Sequence, residues 1–499
     1  MAAVIGIDLG TSFSVVAVID KTGRPQIVPN KDSKNLTPSC IVQRDGEVME
    51  VGEFARRQWG NAPETAAARF KRDMGTSVLY EINGMQFSPT QLSTLVLKRL
   101  YADATLRLGP IAEAVVTIPA NFAHEAREAT LTAAKAAGLN VNFIINEPTA
   151  AALYYAFKHG NELNGIYAVY DLGGGTFDIS IINVVGYDVE VLATNGISKL
   201  GGDDFDLALQ NMVARKFKEL TGRTMNRDDY TRNHAEEDKK SLSLRKQVTA
   251  RVDRELIDIR RDEFEEAVSS FITQAEMLCE ATVEDANLSF RDIAGTLLVG
   301  GSTRIPLIRE SVEKVFGKPP ITSENADEIV ALGAALYSAY KGDKANLSAA
   351  QRSAISRVTV TEKTSKCFGT LSLGFNSVRN ERAIVNTILI PKGTVIPCSI
   401  TSSFYTLREG QTAVSCEVTE STSPETDPRF VKLIWTGSLD LPDGRPSGQE
   451  IKVTFAYDEN QVMKCSFLDV GTGRKREIDI SHRAAQAGDT SEIDQFLVE

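Results

Sequence analysis

The stretch Tyr170-Asp171-Leu172-Gly173-Gly174-Gly175-Thr176-Phe177-Asp178 gathers two carboxylates, three glycines and a hydroxyl within nine residues. Successive glycines let a backbone turn sharply and approach a ligand with no Cβ in the way. Their N–H groups can converge on an anion such as phosphate. Asp171 and Asp178 offer hard oxygen ligands for a cation, directly or through bound water. An apolar run precedes the glycines (Ile166 to Val169) and an alternating run follows them (Ile179, Ile181, Val184), which predicts strand, tight turn, strand. Taken alone, the stretch also fits a plain glycine hairpin with acidic shoulders, and short motifs favour that bland reading.

The pattern recurs at the start of the chain. Val4-Ile5-Gly6-Ile7-Asp8-Leu9-Gly10-Thr11 leads into Val15 to Ile19, again strand, Asp-Leu-Gly, hydroxyl, strand. Two such hairpins suggest a duplicated α/β unit that grips a polyphosphate from both sides. A third glycine turn, Gly300-Gly301, follows the apolar run Leu297 to Val299. Ligands of open α/β sheets gather at the carboxyl ends of strands, so a nucleotide fits, with two turns for phosphates and one for the nucleoside. The P-loop pattern and the dinucleotide fingerprint are both missing. Phosphoryl transfer to water needs a cation, a positive group and an oriented water. Asp8 and Asp171 suit the cation, and Glu147 and Asp178 suit the water or the metal's water shell. Thr11 and Thr176 suit phosphate oxygens. Lys71 can supply the positive charge, although spacing does not single it out from a solvated surface lysine.

The surrounding chain alternates strands and helices, which indicates a largely parallel sheet. Ser88-Pro89 predicts a helix start, and Leu92, Leu95, Val96, Leu100 and Ala104 keep helical spacing. Glu125 to Ala137 predicts a helix closed by Gly138, and Val141 to Ile145 a strand. Leu200-Gly201-Gly202-Asp203-Asp204 opens another helix, and Asp327 to Tyr340 forms one with Gly333-Ala334-Ala335 small enough for close packing. Lys341 to Ser356 turns polar and alanine-rich and reads as a linker or a loose helix. Short alternating strands then run from about Val358 to Ile480, which predicts a separate β-sandwich. Ser481 to Glu499 is short and mixed, has room for one helix turn or two, and is expected to be a poorly ordered tail.

With 499 residues, 42% hydrophobic and 24% charged, the chain has room for two or more domains with ample cores. A net charge of −11 argues against nucleic acid or anionic lipid as the main partner. No signal peptide and no membrane-spanning stretch are expected, which points to the cytoplasm. Six cysteines without C-x-x-C spacing read as reduced, buried thiols, and four scattered histidines give no basis for a histidine metal site.

Ile5 to Thr11, Phe70 to Gly75, Ile145 to Ala152, Asp171 to Asp178, Leu200 to Asp206 and Val299 to Pro306 together resemble the DnaK-type heat-shock chaperone family. The resemblance covers residues 1–340 and, more weakly, 368–480. It implies an actin-like, two-lobed ATPase domain (1–343), a linker (344–361), a β-sandwich peptide-binding domain (362–480) and a short tail in place of the helical lid (481–499). It implies ATP or ADP with Mg²⁺, and Lys71 as catalytic lysine. Asp8, Glu147, Asp171, Thr176 and Asp178 match the Mg-phosphate machinery, with Asp8 and Asp171 reaching the metal through water. Gly10, Thr11, Ser12, Phe13, Gly173, Gly174, Gly175, Gly201, Gly202, Gly300 and Ser302 match the phosphate-binding turns. Glu236, Lys239, Lys240, Ser243, Gly301, Arg304 and Asp327 match the adenosine pocket. Pro119 and Arg127 match the interdomain relay, and Ile396, Phe404, Leu407 and Val414 the apolar peptide cleft.

The implied partners are unfolded or extended polypeptide, a J-domain co-chaperone and a nucleotide-exchange factor, in a stress-response setting. Three departures stand out. Lys240 replaces an arginine, Phe143 replaces an arginine that meets the J-domain, and the linker motif reads Val358-Thr359-Val360-Thr361-Glu362. The linker, Phe143 and the missing lid favour an alternative, a weakly or non-hydrolysing nucleotide-binding adaptor docked on a dedicated partner, and the complete catalytic set opposes it. An actin-fold sugar kinase fits the turns but not the β domain.

Overall fold

The computed structural model describes residues 2–226, 228–323, 325–376, 381–459, 461–479 and 490–499. The chain divides into two compact units, Met1–Val360 with Ala487–Glu499, and Thr361–Gln486.

In the first unit each glycine hairpin belongs to its own mixed sheet. Strand Ala3–Asp8 runs parallel to Ile111–Ile118, which is parallel to Val141–Asn146, and antiparallel to Phe13–Ile19. Strand Asn164–Leu172 likewise runs parallel to Ile293–Val299 and antiparallel to Phe177–Val185, which pairs with Asp188–Ile197. The duplicated hairpin of the sequence is therefore a duplicated local topology.

Helices Glu147–His159 and Ile329–Lys341 share one core with both sheets, joining Val4, Val15, Val169 and Val184 to Ala150, Ala151, Ala334 and Ala335. Small residues make this crossing close. A Cβ on Gly333 would lie 1.7 Å from the Ala150 carbonyl oxygen, and one on Gly6 2.1 Å from the Ala335 nitrogen. The helix starts follow local chemistry. The Ser88 hydroxyl accepts from the Gln91 N–H while the Gln91 side chain accepts from the Ser88 N–H, a reciprocal box that opens Pro89–Leu108. Helix His124–Ala136 stops where Gly138 takes φ +84°.

Two expectations are corrected. Residues 344–361 are not a free linker. Helix Ala349–Ile355 opens on a Ser348–Gln351 box, Gln351 donates to the Ile19 carbonyl at 2.7 Å, and Leu347, Ile355 and Val358 are buried in the shared core. Hydrophobic burial pulls this polar, alanine-rich span into the first unit, and the change of unit falls at Thr361. Nor is 490–499 loose. Residues 481–489 lie outside the described ones, but Ile493 and Phe496 are buried and Leu497–Val498 adds a strand to a small sheet. The strand order there is Leu497–Val498, Val48–Val51, Cys40–Gln43, Ala66–Ala68.

Eight of the strands that follow residue 358 form two four-stranded antiparallel sheets. One holds Glu381–Ile390, Cys367–Asn376, Ala413–Ser421 and Lys432–Asp440; the other holds Cys398–Tyr405, Glu450–Tyr457, Met463–Asp469 and Lys475–Asp479. Phe368, Val418 and Ile434 from the first and Ile451, Phe455 and Phe467 from the second make one core. All six cysteines are free thiols, and five of them are buried. No helix among the described residues is long and apolar enough to cross a membrane.

Gly333→Ala is expected to destabilise the first unit by about 3 kcal/mol, the upper range for forcing atoms into a packed crossing. A urea midpoint equal to the parent's would contradict the crossing.

Candidate functional site

The three glycine turns meet. Gly173 closes its own turn by donating to the Thr176 carbonyl at 3.1 Å. The Gly173 carbonyl accepts from the Ser302 hydroxyl at 2.8 Å and from the Gly202 N–H at 3.0 Å. The Gly174 carbonyl accepts from the Asp203 N–H at 2.8 Å. A Cβ on Gly174 would lie 2.1 Å from the Ser12 hydroxyl, and one on Gly175 2.7 Å from Thr11, so the two hairpins touch only because the turn carries no side chains. Gly300 sits at φ +82°, where its backbone passes close to Leu172.

Between the turns lies a cleft with about 580 Å³ of empty space, counting its open mouth. Asp8, Gly10, Thr11, Ser12 and Phe13 line one side, and Asp171, Gly173, Gly174 and Thr176 another. Lys71, Glu147, Gly300, Gly301 and Asp327 complete it. Lys71, which spacing could not single out, is buried, and its ammonium donates to Glu147 Oε1 at 2.5 Å. It sits in the tight turn Phe70–Asp73, entered through Arg69 at φ +65°. Glu147 opens helix Glu147–His159, and Asp8 accepts from the Thr117 hydroxyl at 2.9 Å.

The cleft is overloaded with carboxylates. Asp171 and Asp178 face each other across their hairpin. Burial, then the Glu147 charge, pushes Asp8 up to about 7, Asp178 up to about 8 and Asp171 well above its ordinary value. Asp171 Oδ2 and Asp178 Oδ1 are buried without a hydrogen-bond partner. Acceptors so placed fit a cation. Among the described residues no three His, Cys, Asp or Glu side chains converge tightly enough to ligate a metal themselves, so a hard ion that keeps its waters and shares phosphate oxygens, such as Mg²⁺, suits the donor set.

Around the cleft the structure adds residues that the sequence reading missed. Arg56 pairs with Glu236 at 2.6 Å, Arg69 with Asp203 at 2.7 Å and Arg72 with Asp204 at 3.0 Å. These pairs join the segment 53–73 to the helices that follow the glycine turn at 201–202. The only sequence signal was a basic run at Arg69 to Arg72 and an acidic one at Asp203 to Asp206. Arg56 also lies over the Phe13 ring at 4.7 Å. Burial would raise Glu236, but Arg56 and then Lys240 outweigh it and hold the carboxyl down at about 2. Lys239 is buried, with its ammonium on the Gly202 carbonyl at 2.8 Å and on Asp206 at 2.6 Å, so it braces the glycine turn. Lys240 is half-exposed and pairs with Glu236 and Glu237. Ser243 donates to the Lys239 carbonyl, and Arg304 pairs with Asp327 at 2.5 Å beside Gly301.

Pro119 is buried at the end of strand Ile111–Ile118. Arg127 bonds the carbonyls of Ala120 and Phe122 and the side chain of Asn146, the residue before Glu147. In the second unit Ile396 is part of the core, Phe404 and Val414 lie half-buried against it, and Leu407 is exposed.

The family model described as Hsp70 protein matches residues 4–82 and 76–499. The chain belongs to the Hsp70 family. Hsp70 proteins are generally ATPases that bind ATP or ADP with Mg²⁺. They generally bind unfolded polypeptides and co-chaperones.

A carboxyl whose folded pKa lies above its unfolded value stabilises the fold below the unfolded pKa. That contribution is lost as pH rises through the folded value. Asp178→Asn should therefore stabilise the nucleotide-free protein relative to the parent at pH 8.5, by on the order of 2 kcal/mol, read as a higher thermal midpoint. The difference should shrink towards pH 4. A pH-independent difference would contradict the burial of an ionising Asp178.

Proposed function

We propose that this Hsp70-family chain is an ATP-hydrolysing chaperone, with an actin-like ATPase domain in the first unit and a peptide-binding β-sandwich in the second. The observation that carries the reading is the Lys71–Glu147 pair, set beside two unpartnered carboxylate oxygens beneath three interlocked glycine turns. Such a cleft supplies backbone donors for phosphate, acidic groups for a hydrated cation and one buried ammonium for charge that develops on a transferred phosphoryl group.

Mg²⁺, when bound, neutralises phosphate charge. The chain's own groups do the rest. Thr11 and Thr176 donate hydroxyls to phosphate oxygens. Lys71 is held by Glu147, so its charge is oriented before substrate arrives. Asp178, opposite Asp171 in its hairpin, is suited to orient the attacking water or the metal's water shell. Arg56, Arg69 and Arg72 close the cleft over nucleotide, with Gly301, Arg304 and Asp327 beside the nucleoside. Arg127 links the residue before Glu147 to the 120–122 loop, a path by which nucleotide state biases peptide affinity. Peptide would lie extended on the sandwich, with apolar side chains against Phe404, Leu407 and Val414; Ile396, within the core, supports that surface.

A second reading, the adaptor that docks on a dedicated partner, is favoured by Phe143. Its ring is capped by the Lys341 ammonium at 5.7 Å, so that spot presents no guanidinium to a J-domain.

Single-turnover hydrolysis, with and without an extended apolar peptide and a J-domain protein, separates the two readings. The chaperone reading expects turnover, Lys71→Ala lowering the rate constant by at least about 10²-fold with ATP still bound, and peptide affinity that differs between ATP and ADP. Binding without turnover or peptide affinity would leave the adaptor. Lys240→Arg is expected to tighten ATP by roughly 2- to 5-fold, because a planar guanidinium stacks on a base where an ammonium does not. Equal affinity in a titration would place residue 240 away from the base.

A further inference from the structure

The segment 490–499 follows the second unit in sequence but is built into the first. Leu497 lies opposite Val48 and Val498 opposite Met49 in a parallel pairing. The Leu497 N–H donates to the Glu47 carbonyl at 3.0 Å and the Glu499 N–H to the Met49 carbonyl at 2.9 Å. In return the Val51 N–H donates to the Glu499 carbonyl at 2.9 Å. The Phe496 ring packs 5.8 Å from that of Phe87, Ile493 is fully buried, and Lys98 holds Asp494 at 2.8 Å. Backbone ladder, apolar anchors and ion pair agree on one register, as in strand addition at a sheet edge.

What that edge supports matters more than the docking itself. Val48–Val51 pairs with Cys40–Gln43, which pairs with Ala66–Ala68. Ala68 runs straight into Arg69 and the turn that carries Lys71 and Arg72. At its other end Val51 leads through Gly52, whose N–H bonds the Cys40 carbonyl at 3.1 Å, into helix Glu53–Asn61. That helix carries Arg56, which holds Glu236, and Trp59, whose ring lies under Arg69 at 4.6 Å. Lys71 and all three arginines of the cross-cleft pairs thus hang from one small sheet, and 497–498 is its outer strand. Three interstrand spacings, roughly 14 Å, separate that strand from the one that delivers Lys71.

We propose that 490–499 is a positioning element of the nucleotide site: docked, it holds the small sheet so that Lys71 faces the cleft and Arg56, Arg69 and Arg72 keep their pairs with Glu236, Asp203 and Asp204; released, it lets them drift and weakens nucleotide binding. The inference rests on the nucleotide reading above. The contacts described for the segment, with residues 47–51, Phe87 and Lys98, include no cleft-lining residue, so it acts through the sheet.

Three chains test it: the parent, Phe496→Asp, which breaks the apolar anchor, and Leu497→Pro, which removes one ladder donor at an exposed side chain and leaves the core intact. Binding of a fluorescent ATP analogue and amide exchange are read on each. Both variants are expected to bind roughly 5- to 10-fold more weakly, within the range of effects transmitted through packed elements. Exchange should quicken at 40–51 and 66–73 and stay unchanged in the sandwich strands. A chain stopped after residue 489 should show the same loss and regain affinity when a peptide of residues 490–499 is added. Unchanged affinity in variants whose exchange shows the segment released would overturn the proposal. So would a parent segment that exchanges like free chain, or a stopped chain that the peptide does not rescue. A parent that binds no nucleotide overturns the nucleotide reading instead, and exchange at 66–73 still decides whether the segment holds the Lys71 turn.

Discussion

Asp8, Glu147 and Asp171 line one cleft with the Lys71 ammonium, Asp178 is buried opposite Asp171 in the same hairpin, and a single ammonium charge cannot balance four carboxyls. Everything around the cleft can be understood as holding that imbalance in place. Like charges drawn from strand ends on two sheets repel, and burial makes each ionised form costlier. The fold keeps them together with interlocked glycine carbonyls, with the Thr117 hydroxyl on Asp8, and with the tight alanine-glycine crossing behind the sheets. Protons held by the buried carboxyls relieve part of this cost, and positive charge brought by a ligand relieves more of it. On the reading proposed above, such a cleft suits a ligand that carries a cation with it, as a metal-bound polyphosphate does.

The hairpins and their acids were legible because three features coincide within a few residues: apolar strand, carboxylate and glycine turn. Each is a local property, and the repeat of the set at Asp8 and Asp171 removed the bland reading of either alone. Lys71 was legible only through family resemblance. Its role depends on Glu147, far off in sequence, and nothing near Lys71 says that it is buried. The cross-cleft pairs are of the same kind. Arg69 and Asp203 are ordinary surface types in one dimension, and only the meeting of two distant loops turns them into a 2.7 Å contact.

The two corrected segments fail for a different reason. Residues 344–361 and 490–499 are polar on average, and averages set the expectation. Their fate is decided by a few apolar side chains, Leu347, Ile355 and Val358 in one and Ile493 and Phe496 in the other, which find cores built by other parts of the chain. Lys239 is a milder case. The resemblance placed it with the nucleoside, but a buried ammonium binds the strongest acceptors within reach, here Asp206 and the Gly202 carbonyl.

The return of 490–499 to the first unit also has a temporal meaning. A chain is made from one end, and a domain whose pieces adjoin in sequence can fold as it emerges. Here the strand Val48–Val51 is made early, whereas its outer neighbour is made only after every strand of the sandwich. Until then the edge lies open beside the buried side of Met49 and Phe87, ready to pair with whatever extended backbone is near. The long separation between partners makes this closure slow relative to local pairing. The nascent protein thus passes through a stage in which its sandwich is whole and its first unit lacks one strand.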